Sequence, residues 1–465
     1  MTATRPVVLW LRRDLRLLDH PALLAAASSG APVVPLFVID PALWDASGAP
    51  RRDRLAASLR SLAEDLHERY AVRLVIRRGS PDRVVPGLAA ELGATAVHVT
   101  AETTPYGRRR DSLVATALAQ AGVEWRATGT AYAVGPGTIL TGGGTPYRVF
   151  TPFSRAWRAH GAPGPAPLPT HLTGLADVPS DPLPEGRNAH DDPGAGEEAS
   201  HARWRWFLAE GLTAYRAHRD RPDLDGTSRL SEALKYGEIH PRTLLADLTT
   251  SEAHGSSAAA KFVTELAWRE FYADVLWHHP RSAWRDLRPM AAMDYDDPDA
   301  SFVAWQEGRT GFPFVDAGMR QLAATGWMHN RVRMVTASFL VKDLHIWWPH
   351  GARHFMAHLR DGDLASNSHG WQWVSGTGTD AAPYFRIFNP VSQGQKFDPR
   401  GAYVREWIPE LRHLEGATAH EPWAHPQGYA GGYPQRIVDH AAERAESLRR
   451  YAVSRASSAT PPTAP

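Results

Sequence analysis

The first 130 residues alternate short apolar runs with stretches of helical composition. The apolar runs are VVLWL (Val7–Leu11), VVPLFVI (Val33–Ile39), RLVIR (residues 73–77) and AVHVT (residues 96–100). Continuous apolar runs separated by helical segments are typical of a parallel sheet covered by helices. The pattern therefore predicts an α/β domain at residues 1–135, with a ligand crevice at the carboxyl ends of its strands. No GxGxxG follows the first run, so we expect no dinucleotide pyrophosphate there.

Beyond the predicted sheet, the chain passes through a proline-rich segment and then becomes helical. Residues 161–200 contain eight prolines together with several glycines and acids, a composition that buries little apolar surface. We therefore predict an interdomain linker at residues 136–203. From Trp204 onward apolar residues recur every three or four positions, which predicts an all-α domain at residues 204–451. The final SSATPPTAP predicts a disordered tail at residues 452–465.

Composition narrows the class of protein. The 465 residues exceed the size of a single hydrophobic core, and the formal net charge of +1 indicates no globally basic surface. The absence of cysteine excludes disulfides, thiol nucleophiles and iron–sulfur clusters, and it favours an intracellular protein. The amino terminus has too short an apolar run for a signal peptide, and no stretch is long enough to span a membrane. We expect a cytoplasmic protein with no membrane contact.

Tryptophan is unusually abundant in the second half of the chain. Of the 17 tryptophans, 13 lie beyond residue 200. Aromatic residues usually form core, but so many indoles in one half of a chain also suit the stacking of a flat ligand.

Two predicted helices place polar side chains beside aromatic or apolar ones. In AAAKFVTELAWREFY, Glu265, Trp268 and Arg269 stand at i, i+3 and i+4, so they share one helix face. In WMHNRVRMVTASFL, Asn330 and Met334 likewise share a face. Such faces fit a ligand, although for an arbitrary helix a surface ion pair beside a half-buried tryptophan would be the simpler explanation of the first of them.

A further polar cluster lies in GTSRLSEALKYGEIHPR. Thr227, Ser228 and Ser231 surround Arg229 just before a helical stretch. Hydroxyls and free backbone amides at the start of a helix can bind a phosphate. Helix capping alone would also explain these residues, so both interpretations remain open.

The segment DGDLASNSHGWQW combines two acids, an amide and two tryptophans. Asp361 and Asp363 could begin a calcium loop, but Ala365 and Ser366 stand where that loop needs an oxygen ligand and a glycine. A metal-dependent hydrolase using both acids would lack third and fourth ligands at a suitable spacing. We therefore expect no metal site.

These segments together resemble the cryptochrome/photolyase family, and specifically its class I cyclobutane pyrimidine dimer photolyases. The motifs GTSRLS, ELAWREFY, GWMHNRVRM, DGDLASN, GWQW and TGTDAAPYFRIFNP follow the family's order and spacing, and the resemblance extends from Val7 to about Tyr451. It implies a Rossmann-like α/β antenna domain followed by an all-α domain that binds FAD in a bent form.

The resemblance implies a set of FAD contacts, mostly in the helical domain. They are Tyr215, Thr227, Ser228, Arg229, Leu230, Ser231, Phe262, Arg269, Arg333, Asp361, Gly362, Asp363 and Asn367. Asn367 would face the flavin N5, where plant cryptochromes carry Asp and animal ones carry Cys. The amide therefore favours repair over a blue-light signalling protein that acts through partners.

The implied substrate is UV-damaged DNA, with the dimer flipped out of the duplex. The implied base contacts are Glu265, Trp268, Asn330, Met334 and Trp373, and the implied phosphate contacts are Arg219, Arg331, Arg386 and Gln393. Buried against indoles, Glu265 could keep its proton and donate a hydrogen bond. Enzymes that repair (6-4) photoproducts carry His in place of Asn330 and no Met at position 334, so a cyclobutane dimer is expected. We expect a monomer with no obligate protein partner.

Light-driven repair takes its electron from excited, reduced FAD. A chain of aromatic residues would supply electrons to oxidised flavin, and the resemblance implies Trp371, Trp348 and Tyr295 for this chain. Tyr295 stands where the family usually carries an outer Trp, and Trp284 or Trp347 could substitute for it.

An antenna chromophore is implied for the α/β domain. ETTPYGRRRD, residues 102–111, resembles members that bind 8-hydroxy-deazaflavin and lacks the Asn-Glu pair of those that bind methenyltetrahydrofolate. We therefore expect a deazaflavin, although WLRRDLR could have a purely structural role beside an empty crevice.

Overall fold

The computed structural model describes residues 4–186, 194–290, 293–379 and 385–459. The chain folds into two compact units. Unit 1 comprises Met1–Thr213 and Ser228–Pro280, and unit 2 comprises Ala214–Thr227 and Arg281–Pro465.

Strands and helices alternate through the first part of unit 1. The elements are β1 (Val7–Leu11), α1 (Pro21–Ala27), β2 (Val33–Ile39), α2 (Pro41–Trp44), α3 (Ala49–Tyr70), β3 (Val75–Arg78), α4 (Pro81–Leu92), β4 (Ala96–Ala101), α5 (Pro105–Gln120) and β5 (Glu124–Thr130). Proline lies in the first turn of all five of these helices, where its missing N–H costs no hydrogen bond.

The five strands form one parallel sheet in the order β3-β2-β1-β4-β5. In the central strand, Val7 pairs with Val33 on one side and with Ala96 on the other. Every residue of β1 is buried, as expected for a central strand covered on both faces. The predicted α/β fold is confirmed, and its strand order reverses between β1 and β4, where such sheets form their crevice.

The remainder of the chain is helical. Its helices are α6 (Phe150–His160), α7 (Glu197–Trp206), α8 (Tyr215–His218), α9 (Ser231–Tyr236), α10 (Pro241–Thr250), α11 (Ser257–His278), α12 (Ala300–Gln306), α13 (Pro313–Thr325), α14 (Asn330–Ser338), α15 (Trp348–His358), α16 (Leu364–Ser375), α17 (Pro390–Phe397), α18 (Ala402–Trp407) and α19 (His440–Ala459). Two π-helical turns, Phe207–Gly211 and Phe339–Asp343, extend α7 and α14. The predicted helical character of the second part of the chain is confirmed.

Helices also lie in segments for which we predicted none. Within the predicted linker, α6 buries Phe150, Phe153 and Trp157, and α7 begins at Glu197. An apolar stripe on α6 packs against α11, so this part of the segment has a hydrophobic surface to bury. The last helix continues to Ala459, beyond the predicted start of the tail at residue 452. Residues 187–193 of the predicted linker and 460–465 of the predicted tail lie outside the described residues.

In unit 1, α11 is fastened to the segment that follows β5. The buried carboxylate of Glu270 accepts hydrogen bonds from the backbone N–H groups of Ala133 (3.1 Å), Val134 (3.0 Å) and Gly135 (2.6 Å). Burial raises the pKa of Glu270, and the N–H groups of Gly135 and Val134 act in the opposite direction. These bonds fix the middle of α11, the helix that carries Glu265 and Trp268.

In unit 2, a single hydrophobic core holds the helices around α13–α16. The largest buried side chains of this core include Trp305, Phe312, Phe314, Trp348 and Tyr403. α16 packs against both α14 and α15, so residues on these three helices come together. No helix in the described parts of the chain is both long and apolar enough to cross a membrane.

Candidate functional site

The two acids of DGDLASN have separate structural roles in unit 2. Asp361 is 6% exposed and pairs with Arg333 through two bonds, Nη1 to Oδ1 at 3.2 Å and Nη2 to Oδ2 at 2.8 Å. Asp363 caps α16 by accepting the N–H of Ser366 at 3.0 Å. Within the described residues there is no group of three or more His, Cys, Asp or Glu side chains arranged to hold a metal. The ion pair between Arg333 and Asp361 thus links α14 to the residues just before α16.

Asn367, in the second turn of α16, is held by one end of its amide. Its Nδ2 donates to the carbonyl oxygen of Ala352 on α15 at 3.0 Å, and the side chain is half-buried. The Oδ1 oxygen is therefore the polar atom that a ligand would meet. This orientation presents a neutral hydrogen-bond acceptor.

Trp371 lies in the core of unit 2, four residues after Asn367. It is 3% exposed, and its ring makes edge contacts with Phe355 (5.0 Å between centroids) and Trp305 (6.1 Å). Its Nε1 is buried without a hydrogen-bond partner among the described residues. The sequence motifs did not include Trp305. Its contact with Trp371 is a tertiary contact, and the spacing of the two residues along the chain does not predict it.

Gln372 and Trp373 complete the WQW motif in other directions. Gln372 is fully buried; its Nε2 donates to Ser282 O at 2.7 Å, and its Oε1 accepts Leu287 N–H at 2.8 Å. Trp373 is half-buried and packs at the edge of the unit 2 core, as does Met334 on α14. Three consecutive residues of α16 thus have different surroundings. Trp371 lies in the core, Gln372 bonds to a neighbouring loop, and Trp373 lies at a partly open surface.

A glycine on α15 allows Trp371 to lie against that helix. A Cβ at Gly351 would overlap the six-membered ring of Trp371 and would lie 2.5 Å from Leu340 Cδ2. We expect Gly351→Ala to lower the free energy of unfolding by about 1–3 kcal/mol, because overpacking forces side chains off their rotamers. Urea unfolding of the flavin-bound protein measures the change.

Gly370 provides the matched control, because it also lies within a helix and a Cβ there would meet nothing within 4 Å. Gly370→Ala should raise stability by up to about 1 kcal/mol through helix propensity alone. If both substitutions stabilise the chain, the packing of Trp371 on Gly351 is not as described.

On α14, the structure brings Asn330 and Met334 together. Asn330 is the first residue of the helix and is exposed, with its Nδ2 4.0 Å from the Sδ of Met334. The predicted neighbourhood of these two side chains on one helix face is therefore present in unit 2.

Two of the predicted phosphate contacts in unit 2 share a carboxylate. Arg331 Nη2 lies 3.0 Å from Asp220 Oδ1, and the Nε of Arg219 lies 3.8 Å from the same oxygen. The Arg331 guanidinium also lies over the Phe397 ring, 4.4 Å from its centroid. The sequence motifs did not include Asp220, because its spacing from Arg331 along the chain does not predict their contact.

Arg386 and Gln393, the other predicted phosphate contacts, lie further along the chain. Arg386 is exposed, with its guanidinium carbon 5.5 Å from the centroid of the Phe388 ring. Gln393 is half-buried on α17, which is capped by Asn389. Both side chains are placed where solvent reaches them.

In unit 1, Glu265 is an ion-paired surface residue. Its Oε1 lies 2.9 Å from Lys261 Nζ one turn earlier, and the Glu265 and Lys261 side chains are 31% and 38% exposed. We considered a Glu265 buried against indoles that keeps its proton. The structure instead leaves the Glu265 side chain 31% exposed, with Lys261 at the i−4 position of the same helix.

Trp268 stacks on an aromatic residue that the sequence analysis did not identify. The Phe150 ring lies parallel to it, with 3.6 Å between centroids and 7° between planes. Trp268 also meets Tyr272 at 5.3 Å, and it remains half-buried. Phe150 lies far from Trp268 along the chain, in the segment predicted to be linker.

The other cofactor-contact predictions on α11 are engaged within unit 1. Phe262 is 4% exposed and stacks on Trp204, with 5.3 Å between centroids. Arg269 donates to Ala131 O at 3.1 Å and to Leu234 O at 3.0 Å. A cofactor that contacts these side chains would meet a preformed, packed surface.

The GTSRLS segment contains an uncapped helix start. Arg229 is exposed and adopts φ +53°, a conformation uncommon for a residue with a Cβ. Leu230 is 2% exposed, and α9 begins at Ser231 without a side-chain cap. The Ser228 hydroxyl accepts the N–H of Leu230 at 3.5 Å, one residue before the helix begins, so it does not cap α9 itself. In unit 2, Thr227 is half-buried and Tyr215 is buried.

Trp348 and Tyr295 lie close to one carboxylate of unit 2. Trp348 is fully buried, and its Nε1 donates to Asp286 Oδ1 at 2.6 Å. The Tyr295 hydroxyl is buried without a partner among the described residues. Burial, followed by the negative charge of Asp286, raises the pKa of Tyr295. Asp286 is a further residue that the motifs gave no reason to select.

At the carboxyl edge of the sheet, the polar residues of WLRRDLR form internal bonds. Arg12 pairs with Asp111 at 3.0 Å, and Asp14 accepts the Thr100 hydroxyl at 2.6 Å. The hydroxyl of Tyr106, at the start of α5, donates to Asp40 Oδ2 at 2.6 Å. These contacts support the structural role that we considered for this segment.

Comparisons with known proteins agree with this organisation. A family model described as DNA photolyase matches residues 7–172, and one described as the FAD binding domain of DNA photolyase matches residues 262–453. A deoxyribodipyrimidine photo-lyase of Escherichia coli is 40% identical, over 96% of this chain and 98% of its own length.

Solved structures of similar fold include a photolyase and a cryptochrome. A class III photolyase from Agrobacterium tumefaciens has a TM-score of 0.90 and 37% identity, and the match covers 98% of this chain and 99% of that one. A cryptochrome from Synechocystis has a TM-score of 0.87 and 27% identity, with coverage of 97% and 100%.

Proposed function

This chain belongs to the DNA photolyase family, and we propose that it repairs cyclobutane pyrimidine dimers in DNA with light, using reduced FAD. The similarity to the Escherichia coli relative extends over nearly the whole of both chains, which supports a shared activity. The observation that carries the proposal is the orientation of Asn367. With Nδ2 bound to Ala352, its Oδ1 offers an acceptor to a flavin nitrogen that carries a hydrogen, as N5 does in reduced flavin.

The donor set of the chain fits FAD. The hydroxyls of Thr227, Ser228 and Ser231 and the Arg229 cation suit its two phosphates. Asn367 offers a neutral amide to the isoalloxazine. The bound Arg333–Asp361 pair keeps the start of α16, and with it Gly362 and Asp363, in a fixed position.

FAD in its reduced, light-excited state would supply the electron that splits the dimer. The protein residues bind and orient the two bases, and they exclude water. On α14, Asn330 offers amide hydrogen bonds and Met334 an apolar contact. Trp268 in unit 1 and Trp373 in unit 2 each contribute an aromatic surface. The Phe150 ring stacks on one face of Trp268 and fixes the orientation of its indole.

Glu265 has a positioning role in this proposal. Its carboxyl oxygens accept a hydrogen bond from an N3–H group of a pyrimidine, and its Oε1 lies 2.9 Å from Lys261 Nζ on the same helix.

Binding to the DNA backbone relies on a local group of cations, since the whole chain is almost neutral. Arg331 and Arg219 flank Asp220, so one acid orients two guanidinium groups and a positive charge is left over. The exposed Arg386 and the amide of Gln393 would add phosphate contacts that carry no sequence information.

We also propose that the α/β domain binds 8-hydroxy-deazaflavin in preference to methenyltetrahydrofolate. The residues that support it are those of ETTPYGRRRD, which has no Asn-Glu pair. The bond between Tyr106 and Asp40 holds an aromatic ring at the carboxyl edge of the sheet, where a flat chromophore could stack.

A direct assay tests the proposed repair. We expect chemically reduced protein under blue light to restore thymine in DNA that contains thymine dimers, with no restoration in the dark. DNA that contains (6-4) photoproducts is the matched substrate and should stay unrepaired. Flavin absorption bands without repair of either lesion would contradict the proposal and favour a blue-light signalling protein that acts through partners.

A further inference from the structure

One carboxylate in unit 2 binds the N–H groups of two adjacent indoles. Asp286 Oδ1 accepts Trp348 Nε1 at 2.6 Å and Trp347 Nε1 at 3.3 Å. The two rings meet edge to face, with 6.5 Å between centroids. Trp348 is fully buried, whereas Trp347 is half-buried. An indole that loses an electron becomes a cation, so a carboxylate at its N–H stabilises the oxidised state.

The loop that carries Asp286 is held rigidly by α16. The buried Gln372 bonds to Ser282 O and to Leu287 N–H, and Arg288 N–H donates to Thr377 O at 2.8 Å. Bonds on both sides of Asp286 therefore fix its position relative to the helix that carries Trp371. A carboxylate placed in this way costs little reorganisation when a neighbouring charge appears.

Three aromatic residues of unit 2 could end an electron pathway that passes through Trp371 and Trp348. Tyr295 must lose its phenol proton to be oxidised at low cost, and its buried hydroxyl has no acceptor among the described residues. Trp284 has the Arg353 guanidinium over its ring, 5.4 Å from the centroid, and this cation opposes a second positive charge. Trp347 has an anion at its N–H and is partly open to solvent.

We propose that Trp347 is the outer electron donor of this chain and that Asp286 is the positioning residue that stabilises its oxidised form. This inference rests on the proposed function, because the oxidant is a light-excited oxidised flavin. With oxidised FAD bound, one electron would pass from Trp347 through Trp348 and Trp371 to the cofactor, and the Nε1 proton of Trp347 would pass to Asp286 Oδ1. A neutral Trp347 radical and a protonated Asp286 remain, and a soluble thiol later returns an electron while Asp286 returns the proton.

Isotope labelling of the unmodified, FAD-bound protein identifies the amino-acid type that carries the radical. We expect the electron paramagnetic resonance signal of the radical trapped after illumination to narrow when tryptophan rings are deuterated. Deuterated tyrosine should leave the signal unchanged. Narrowing with deuterated tyrosine would overturn the assignment and place the radical on tyrosine, without any need for a variant to fold.

Matched variants then separate Trp347 from Tyr295. Trp347→Phe should lower the yield of the long-lived radical several-fold, and Tyr295→Phe should leave it unchanged. The opposite pattern would overturn the proposal, as would equal yields in both variants and the unmodified chain.

Variants of Asp286 test its charge. Asp286→Asn keeps an acceptor oxygen but removes the charge, so it should lower the radical yield several-fold. The indole N–H resonances of Trp347 and Trp348, read without illumination, should both shift in this variant. Asp286→Glu should restore most of the yield. A full yield in Asp286→Asn, or a shift of neither resonance, would overturn the role of Asp286.

These outcomes are distinct from failure of the proposed function. If reduced protein repairs thymine dimers but the radical resides on tyrosine, only the present inference is wrong. If the unmodified chain binds no flavin, both are wrong.

Discussion

Trp371→Phe is expected to slow the photoreduction of oxidised flavin several-fold while repair by chemically reduced protein stays close to that of the unmodified chain. Photoreduction needs a closely spaced series of oxidisable rings, because electron tunnelling falls steeply with distance. Phenylalanine is much harder to oxidise than tryptophan, so the substitution interrupts the series at its inner end. Repair starts from flavin that is already reduced and does not use the series.

The structure makes this substitution a clean test. Trp371 is 3% exposed and its Nε1 makes no hydrogen bond among the described residues, so phenylalanine removes volume but breaks no bond. The stability loss should stay below the about 3–5 kcal/mol of a Trp→Ala deletion. The edge contact with Phe355 can persist in part.

Photoreduction is measured as the loss of oxidised-flavin absorbance under blue light in the presence of a thiol, and repair as restored thymine after chemical reduction. Trp407→Phe is the control, since Trp407 packs against the same core and also has a buried Nε1 without a partner in the described parts of the chain. Equal photoreduction in Trp371→Phe and Trp407→Phe would refute a pathway through Trp371.

Glu265→Ala is expected to lower the yield of dimer repair while FAD remains bound. A specific contact to a base edge contributes about 1–3 kcal/mol, which corresponds to roughly a 5- to 150-fold rise in the Kd for dimer-containing DNA. The substitution should not disturb folding, because an exposed ion pair contributes about 0–1 kcal/mol and alanine favours a helix.

Two readouts distinguish this role from a general loss of function. Binding is measured with dimer-containing and undamaged DNA, and only the first should weaken. The matched control is Glu198→Ala, which removes an exposed glutamate of α7 that pairs with Arg205 at 2.6 Å. If repair and binding in Glu265→Ala equal those of the control, Glu265 does not touch the dimer.

The sequence predicted the two fold classes and the neighbourhoods within single helices. Hydrophobic periodicity is a local property, so the alternation of β1–β5 with helices and the shared face of Asn330 and Met334 could be read directly. The boundaries of irregular segments were harder to predict from the sequence. We assigned α6 to the linker because it directly precedes the proline-rich residues 161–200, and its apolar stripe becomes informative only when its packing against α11 is known.

Contacts between distant segments could not be predicted in the same way. Phe150 against Trp268, Asp220 against Arg331 and Asp286 beneath the paired indoles join residues whose spacing carries no signal. Aspartate is common on protein surfaces, so neither Asp220 nor Asp286 stands out in the sequence. The motifs identified one partner of each contact, and only the fold supplied the other.

α16 has a consequence for how the chain tolerates change. Asn367, Trp371 and Trp373 lie on one continuous helix, and about 9 Å of rise separates the first from the last at 1.5 Å per residue. Mutations in neighbouring helices can tilt or shift α16 as a whole, but the helical backbone keeps the spacing among these three residues unchanged. We therefore expect natural variation to accumulate around α16 as compensated, whole-helix adjustments, whereas insertions or deletions inside it should be rejected.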